Sequence, residues 1–401
     1  MHCTKIKLSD GKERWVCVAD APADLTTGKR KQISRRGKSK REAKEAVENV
    51  LSALKEGYNI RDGKKITFAQ IADEWYTQYK FENNKSTTNF LKEYALELLK
   101  NRIGSIPIAN ITLSKYQKLI NDLSETYSRN TVASINVTGG QIFKYALLDK
   151  IIKDNPKNGV VLPKKKLTIE DIENESIEHK YLENEEVAQI LKAAKENGRD
   201  NDYEIFHVLS FTGMRSSELC ALKWSDIDFE NKTIKITKTH YSRSKRANEY
   251  ELTTPKTLKS IRTITINEFL IDLLKQLKMR QFKKLTERRK KDHTFFYHDE
   301  NFIFCNRHGY PYNNVVIVNK LKYLLPFTTI TKKVTPHFFR HSHISMMTEA
   351  GVDLQSIMER VGHDNAATTL KIYTHVTNKM REKTNDKLKN LFEDILEKTK
   401  I

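Results

Sequence analysis

Arg215, Lys256, His337, Arg340, His363 and Tyr373 are side chains of this 401-residue chain whose chemistry could converge on one phosphodiester. Arg215 lies in Thr212-Gly213-Met214-Arg215-Ser216-Ser217-Glu218-Leu219, and Lys256 in Thr254-Pro255-Lys256-Thr257. His337-Phe338-Phe339-Arg340 follows, with His341 next. Val361-Gly362-His363 then stands ten positions before Tyr373, in Tyr373-Thr374-His375. Breaking a phosphodiester without water or metal needs a side-chain nucleophile, cations for the nonbridging oxygens and an acid for the departing oxygen. A tyrosyl oxygen can be that nucleophile. It makes a phosphodiester of similar energy to the one broken, so the bond can be re-formed without ATP. Guanidinium forks suit the oxygens, because their planar, charge-assisted hydrogen bonds strengthen as negative charge builds.

Singly, each residue has a plainer use. Arg215 at a helix start could be a surface salt-bridge partner. His337 and Arg340, three apart, share a helix face and could be surface polarity. Gly362 could end a helix. Tyr373 is one of 16 tyrosines. His337, His341, His343, His363 and His375 invite a metal, but the spacing is not HExxH and Arg340 would repel a cation, so no metal is expected.

Together, in this order and spacing, the arginine, lysine, His-x-x-Arg, Gly-His and tyrosine pieces resemble the tyrosine recombinase (phage integrase) family. The resemblance is strongest from about 180 to 380 and extends in outline over nearly the whole chain. Val361 departs from it, where many members have Leu before Gly-His. The resemblance implies that Arg215, Arg340 and His363 hold the phosphate, that His337 handles a proton near the nucleophile, and that Lys256 protonates the departing 5′ oxygen. Glu218 matches an acidic position that orients neighbouring cations. Lys259 and Arg262 are DNA contacts or structural. The implied reaction needs no cofactor: Tyr373 forms a 3′-phosphotyrosine, and two rounds pass through a four-way junction on a homotetramer. Implied partners are double-stranded DNA at core-type and arm-type sites, a host DNA-bending protein and an excision factor.

The elements that must position these residues fall into blocks, making a multidomain, mainly α chain with small β-sheets. Residues 179–380 alternate helices with strand-like pieces and form an α+β catalytic domain. Asp228 to Ile236 and Thr253 to Ile266 read as hairpins, the second with a Lys-rich tip. A tail helix, 381–401, carries Leu388, Leu391, Phe392, Ile395 and Leu396 on one face, suited to a neighbouring copy. Residues 66–158 look wholly helical, a core-binding domain opening with Thr67 as cap of Phe68 to Phe81. Residues 159–178, with Lys164 and Lys165, read as an exposed basic linker that could follow a phosphate backbone. Residues 1–62 read as three short strands and a helix capped by Ser39 and Glu42. Arg35, Arg36, Lys38 and Lys40 at the edge of this module suit arm-type DNA.

The bulk properties agree. The chain carries 71 Lys and Arg against 51 Asp and Glu, net +20, which points to a polyanionic partner. No run of eighteen apolar residues suggests a membrane span, and the expected location is the bacterial cytoplasm, on DNA. Cys3, Cys17, Cys220 and Cys305 form no CxxC pair, so free thiols are expected and a disulfide framework is not. Two rivals stand beside this reading: a catalytically silent DNA-binding regulator that keeps the fold, and a type IB topoisomerase that uses related chemistry and needs no partner site.

Overall fold

The computed structural model describes residues 1–7, 12–22, 32–55, 65–82, 85–163, 181–244, 246–255, 260–362 and 366–399. The chain divides into two compact units, residues 1–166 and 167–401.

The first unit holds two separate apolar cores. Near the N-terminus, β1 (His2–Lys7), β2 (Glu13–Asp20) and β3 (Gln32–Gly37) form an antiparallel sheet in that order. One face is covered by α1 (Lys40–Lys55), whose Ala43 and Val47 meet Cys17, Ala19 and Ile33. The Ser39 hydroxyl accepts the Glu42 N–H at 3.1 Å, and the Glu42 carboxylate accepts the Lys38 N–H at 2.6 Å. This satisfies amides that a helix start leaves open. The cysteine expectation needs correction: Cys3 and Cys17 are joined by a disulfide. The β1–β2 register sets them directly opposite, a proximity invisible in a spacing of fourteen residues. Cys220 and Cys305 are free and buried.

Four helices follow: α2 (Phe68–Phe81), α3 (Ser86–Ile103), α4 (Leu113–Thr126) and α5 (Arg129–Leu148). Thr67 and Gln70 cap each other's backbone at the start of α2, so the chain turns into a helix where the sequence placed it. Phe68, Ile71, Ala72, Trp75, Tyr76 and Tyr79 then pack inward. Residues 159–162 are less free than a linker should be. The Gln117 amide exchanges two 2.8 Å hydrogen bonds with the Val161 backbone, and Val160 and Leu162 pack on the helical core. Lys164 and Lys165 lie outside the described residues.

The second unit starts with α6 (Asn184–Glu196), α7 (Asp202–Thr212) and α8 (Ser216–Cys220). Five strands follow: β4 (Ile227–Asp228), β5 (Thr233–Ile236), β6 (Thr239–Tyr241), β7 (Glu251–Thr253) and β8 (Arg262–Thr265). Helices α9 (Glu268–Lys291), α10 (Asn314–Leu324), α11 (Pro336–Glu349), α12 (Leu354–Val361) and α13 (Ala366–Thr399) complete it. Phe206 of α7 and Phe339 of α11 stack at 5.3 Å in the core, each fully buried. Burying such a ring contributes about 1.5–3 kcal/mol, and this pair ties together the two helices next to Arg215 and Arg340.

Two expectations change here. Thr253 to Ile266 is not one hairpin: β7 pairs with β6, while β8 pairs with β5 in a separate β4-β5-β8 sheet. The tail is not a separate helix either. With neither Gly nor Pro between Ala366 and Thr399, α13 runs unbroken for 34 residues. Among the described residues, no helix is long and apolar enough to cross a membrane.

Candidate active site

Helix α7 ends at Thr212, and Gly213 takes a left-handed φ of 63°. A Cβ there would sit 2.6 Å from the His343 ring, so both the turn and the packing require glycine. The reversal places Arg215 just before α8. Glu218 accepts the Arg215 backbone N–H at 2.9 Å and its Nη1 at 2.8 Å. The same carboxylate takes Nη2 of Arg262 at 2.9 Å and Nη1 at 3.2 Å. Glu218 is buried, and burial alone would raise its pKa. Hydrogen bonds and charge from Arg262, with Arg215 behind them, hold it below the usual carboxylate range.

The surface salt bridge anticipated for Arg215 therefore exists, but its acid is in the interior. Of the two readings left open for Arg262, a DNA contact or a structural residue, its partners in the structure fit the second. Besides Glu218, its fork donates to the Arg360 carbonyl at 2.7 Å and to the Ser260 carbonyl at 3.1 Å. Strand alternation puts it on the inward face with Ile264.

Arg340 enters from α11, fully buried, and donates Nη1 to the Gly213 carbonyl at 3.0 Å. Arg215 donates Nη2 to the carbonyl of Gly362 at 3.3 Å. Gly362 ends α12 with a φ of 69°, and a Cβ there would come within 3.0 Å of Arg262 Nη1. So each arginine is tied to the carbonyl of a left-handed glycine that belongs to a different motif, Arg340 to Gly213 and Arg215 to Gly362. Burial, then the Arg215 charge, press down on the Arg340 pKa, and Glu218 works the other way. A guanidinium starts so far above neutrality that the cation persists. Three guanidiniums, of Arg215, Arg262 and Arg340, thus act on the one Glu218 carboxylate or beside it.

Two residues that the motifs did not single out for this site stiffen it. Arg360 donates Nε to His343 Nε2 at 3.0 Å, and its Nη atoms donate to the carbonyls of Thr265 and Phe211. With Nε2 accepting, His343 Nδ1 carries the proton and donates to the Ser210 carbonyl at 3.0 Å. Burial, with the Arg360 charge second, pushes the His343 pKa down to about 4, so the ring is a neutral bridge. His343 is thus no metal-ligand candidate; among the described residues no cluster of three or more His, Cys, Asp or Glu could hold an ion.

His337 occupies the first turn of α11, its ring edge-on to His341 at 4.6 Å. Partial desolvation and the charges of Arg340 and Arg215 lower its pKa, with Glu218 opposing. Tyr373 is on α13, half-buried, its ring against the cluster of Ile344, Ile357, Val361, Ile372 and Val376. Lys256, Lys259 and His363 lie outside the described residues; Pro255 and Gly362 lead directly into Lys256 and His363. In the N-terminal sheet, Arg36 and Arg35 fall on opposite faces. Arg35 shares the face of Cys17, while Arg36 shares the face away from α1 with Arg14, which the sequence had not singled out. Lys38 and Lys40 are exposed, the Lys40 ammonium 5.6 Å over the Trp15 ring.

Comparison with known proteins gives three domain matches. Residues 180–380 match the phage integrase family, 68–161 the phage integrase central domain, and 5–54 an arm DNA-binding domain. The integrase of Staphylococcus phage L54a is 36% identical, over 82% of this chain and 94% of its own length. The transposase of transposon Tn916 from Enterococcus faecalis is 26% identical, over 88% of this chain and 82% of its own. Among solved structures, the Tn1549 transposon integrase in complex with a circular intermediate DNA shares the fold. Its TM-score is 0.59 at 22% identity, covering 80% of this chain and 99% of that one. A lambda integrase dimer bound to a core site gives a TM-score of 0.56 at 14% identity, covering 92% and 94%.

Proposed function

This chain belongs to the phage integrase family, and we propose how its own residues divide the work of a tyrosine recombinase, which cuts and rejoins DNA through a 3′-phosphotyrosine and a four-way junction. The Tyr373 oxygen attacks phosphorus, and the bond from phosphorus to the 5′ oxygen breaks. Lys256 supplies the proton that this oxygen takes up. His337, its pKa held below that of an ordinary imidazole, is neutral near pH 7 and can accept a proton near the nucleophile. Arg215, Arg340 and His363 hold the nonbridging oxygens. Glu218 keeps Arg215 aimed and touches no substrate.

The observation that carries this reading is the gathering of Arg215 and Arg340 beside buried Glu218, each tied to the carbonyl of a left-handed glycine. Guanidinium groups held in this way suit a phosphate, on which negative charge grows as Tyr373 attacks. The test is a nicked suicide substrate, from which the cut strand cannot be religated. Wild-type protein should accumulate a covalent protein–DNA adduct. Tyr373→Phe should bind equally and form none. A wild type that binds specifically yet never forms the adduct would instead be the silent regulator. Relaxation of plasmids lacking a specific site would favour the topoisomerase.

The wider assembly rests on the same membership. Residues 1–62 hold arm-type sites, with Arg36 and Lys38 toward the DNA, and residues 66–158 grip the core site. Leu388, Leu391, Phe392 and Ile395 are 42–57% exposed on the far half of α13, a face suited to a neighbouring copy within a homotetramer on DNA. Tyr373, whose ring packs in its own domain, attacks in cis. The complex works in the bacterial cytoplasm with a host DNA-bending protein and an excision factor.

A further inference from the structure

Among the described residues, the β6–β7 ribbon pairs only with itself, through three register pairs from Thr239–Thr253 to Tyr241–Glu251. A two-stranded ribbon is marginal alone in water, so its placement depends on side chains at its flanks. On the β6 side, His240 is buried and stacks on Tyr250 at 5.5 Å. On the β7 side, Tyr250 immediately precedes the strand, and its hydroxyl meets Nε2 of His298 at 2.7 Å. His298 is itself fixed. Its ring lies parallel on Tyr310 at 4.4 Å, its backbone N–H donates to the His308 carbonyl at 2.8 Å, and buried Phe302 stands edge-on to Tyr250 at 5.6 Å. The 298–310 loop thus holds an imidazole rigidly at the ribbon's side. Three residues after β7 ends at Thr253 comes Lys256.

We propose that Tyr250 and His298 are positioning residues for strand cleavage: their hydrogen bond fixes the β6–β7 ribbon so that the segment leaving β7 delivers Lys256 to the departing 5′ oxygen. The proposal rests on Lys256 being the acid. Neither Tyr250 nor His298 touches substrate in this scheme. What they supply is orientation, without which a proton donor on a tethered segment is present but misplaced.

The experiment separates positioning of the acid from general damage to the fold. Adduct formation is timed on two suicide substrates, one with the natural 5′ oxygen at the scissile phosphate and one with sulfur there. A thiolate leaves without a proton, so a defect confined to the acid disappears on the sulfur substrate. Tyr250→Phe deletes one hydroxyl, His298→Phe keeps the stacked ring, and Lys256→Ala removes the acid. On the oxygen substrate the first two should slow adduct formation about 10-fold, and Lys256→Ala about 100-fold or more, as general-acid loss does. On the sulfur substrate all three should return to within about 3-fold of wild type, a residue far smaller than an acid defect. Rescue of Lys256→Ala but of neither anchor variant would overturn the anchor alone, as would anchor variants at wild-type rate on oxygen. Failure to rescue Lys256→Ala would overturn the acid assignment and the anchor with it.

Discussion

Around Glu218, the groups described above find their partners inside the chain: two guanidinium forks on one carboxylate, and two glycine carbonyls crossed onto two arginines. Along the far half of α13, the apolar side chains face outward. Both regions belong to the same unit, and they differ in when their energetics are completed. The pocket is preorganised. Its guanidiniums are held by the chain's own carboxylate and carbonyls, as a site that needs no reorganisation during reaction would require. The tail leaves apolar side chains exposed along one helix, the kind of patch that can mark an interaction surface.

That contrast can be broken most forcefully at Glu218. Glu218→Gln keeps the volume and removes the charge that Arg215 and Arg262 share. Urea denaturation should show a loss of about 3–5 kcal/mol, as when one partner of a buried pair is deleted. An unchanged midpoint would mean that the pocket is not held from within. Arg262→Met is gentler, because Glu218 keeps Arg215. The loss should be about 2–3 kcal/mol, and DNA affinity measured on the folded fraction should barely move. A large affinity loss at unchanged stability would restore Arg262 as a DNA contact.

His343 sharpens the comparison through pH. Its folded pKa is about 4, whereas an unfolded histidine titrates near 6.5. Between those values the unfolded chain binds a proton that the folded chain refuses. The contribution is therefore fully present above about pH 6.5 and is lost as pH falls toward 4, by about 1.4 kcal/mol per pH unit. His343→Gln should flatten that part of the stability profile, read from thermal melts across the range. Equal slopes in both proteins would remove His343 from the pocket's supports. The smallest stability change belongs to the tail. Leu391→Ser with Phe392→Ser should shift unfolding by less than about 0.5 kcal/mol, the usual scale at exposed positions. The same pair should abolish four-way junction formation on paired sites. A stability loss of several kcal/mol would show the stripe packing on its own domain.

Much of this was legible because local chemistry fixes local geometry. Thr67 caps the helix that its side chain announces, and Ser39 with Glu42 caps the helix of the N-terminal sheet. The spacing of the motifs sufficed for Arg215, Glu218 and Arg340, whose meeting depends on the two glycine turns. What escaped depends on register and long-range pairing. β6 and β7 are three residues each, too short for periodicity to register. Cys3 faces Cys17 only through the β1–β2 pairing. Arg262 was left open between DNA and structure, yet the strand could have narrowed it: Arg262, Ile264 and Ile266 alternate with Thr263 and Thr265, and that parity places the arginine inward with the isoleucines.

The unbroken course of α13 also has a mechanical meaning. Leu391 stands eighteen residues beyond Tyr373 on the same rod, a span of about 27 Å at helical rise. A rod has few soft joints, so seating its far end sets the angle of its near end. A tilt of about 5° about Tyr373 carries the tip by about 2 Å over that length, and the converse holds when the tip is clamped. Any surface that received the tail would therefore work as a protractor for Tyr373, and several such rods closed in a ring would have to share their angles.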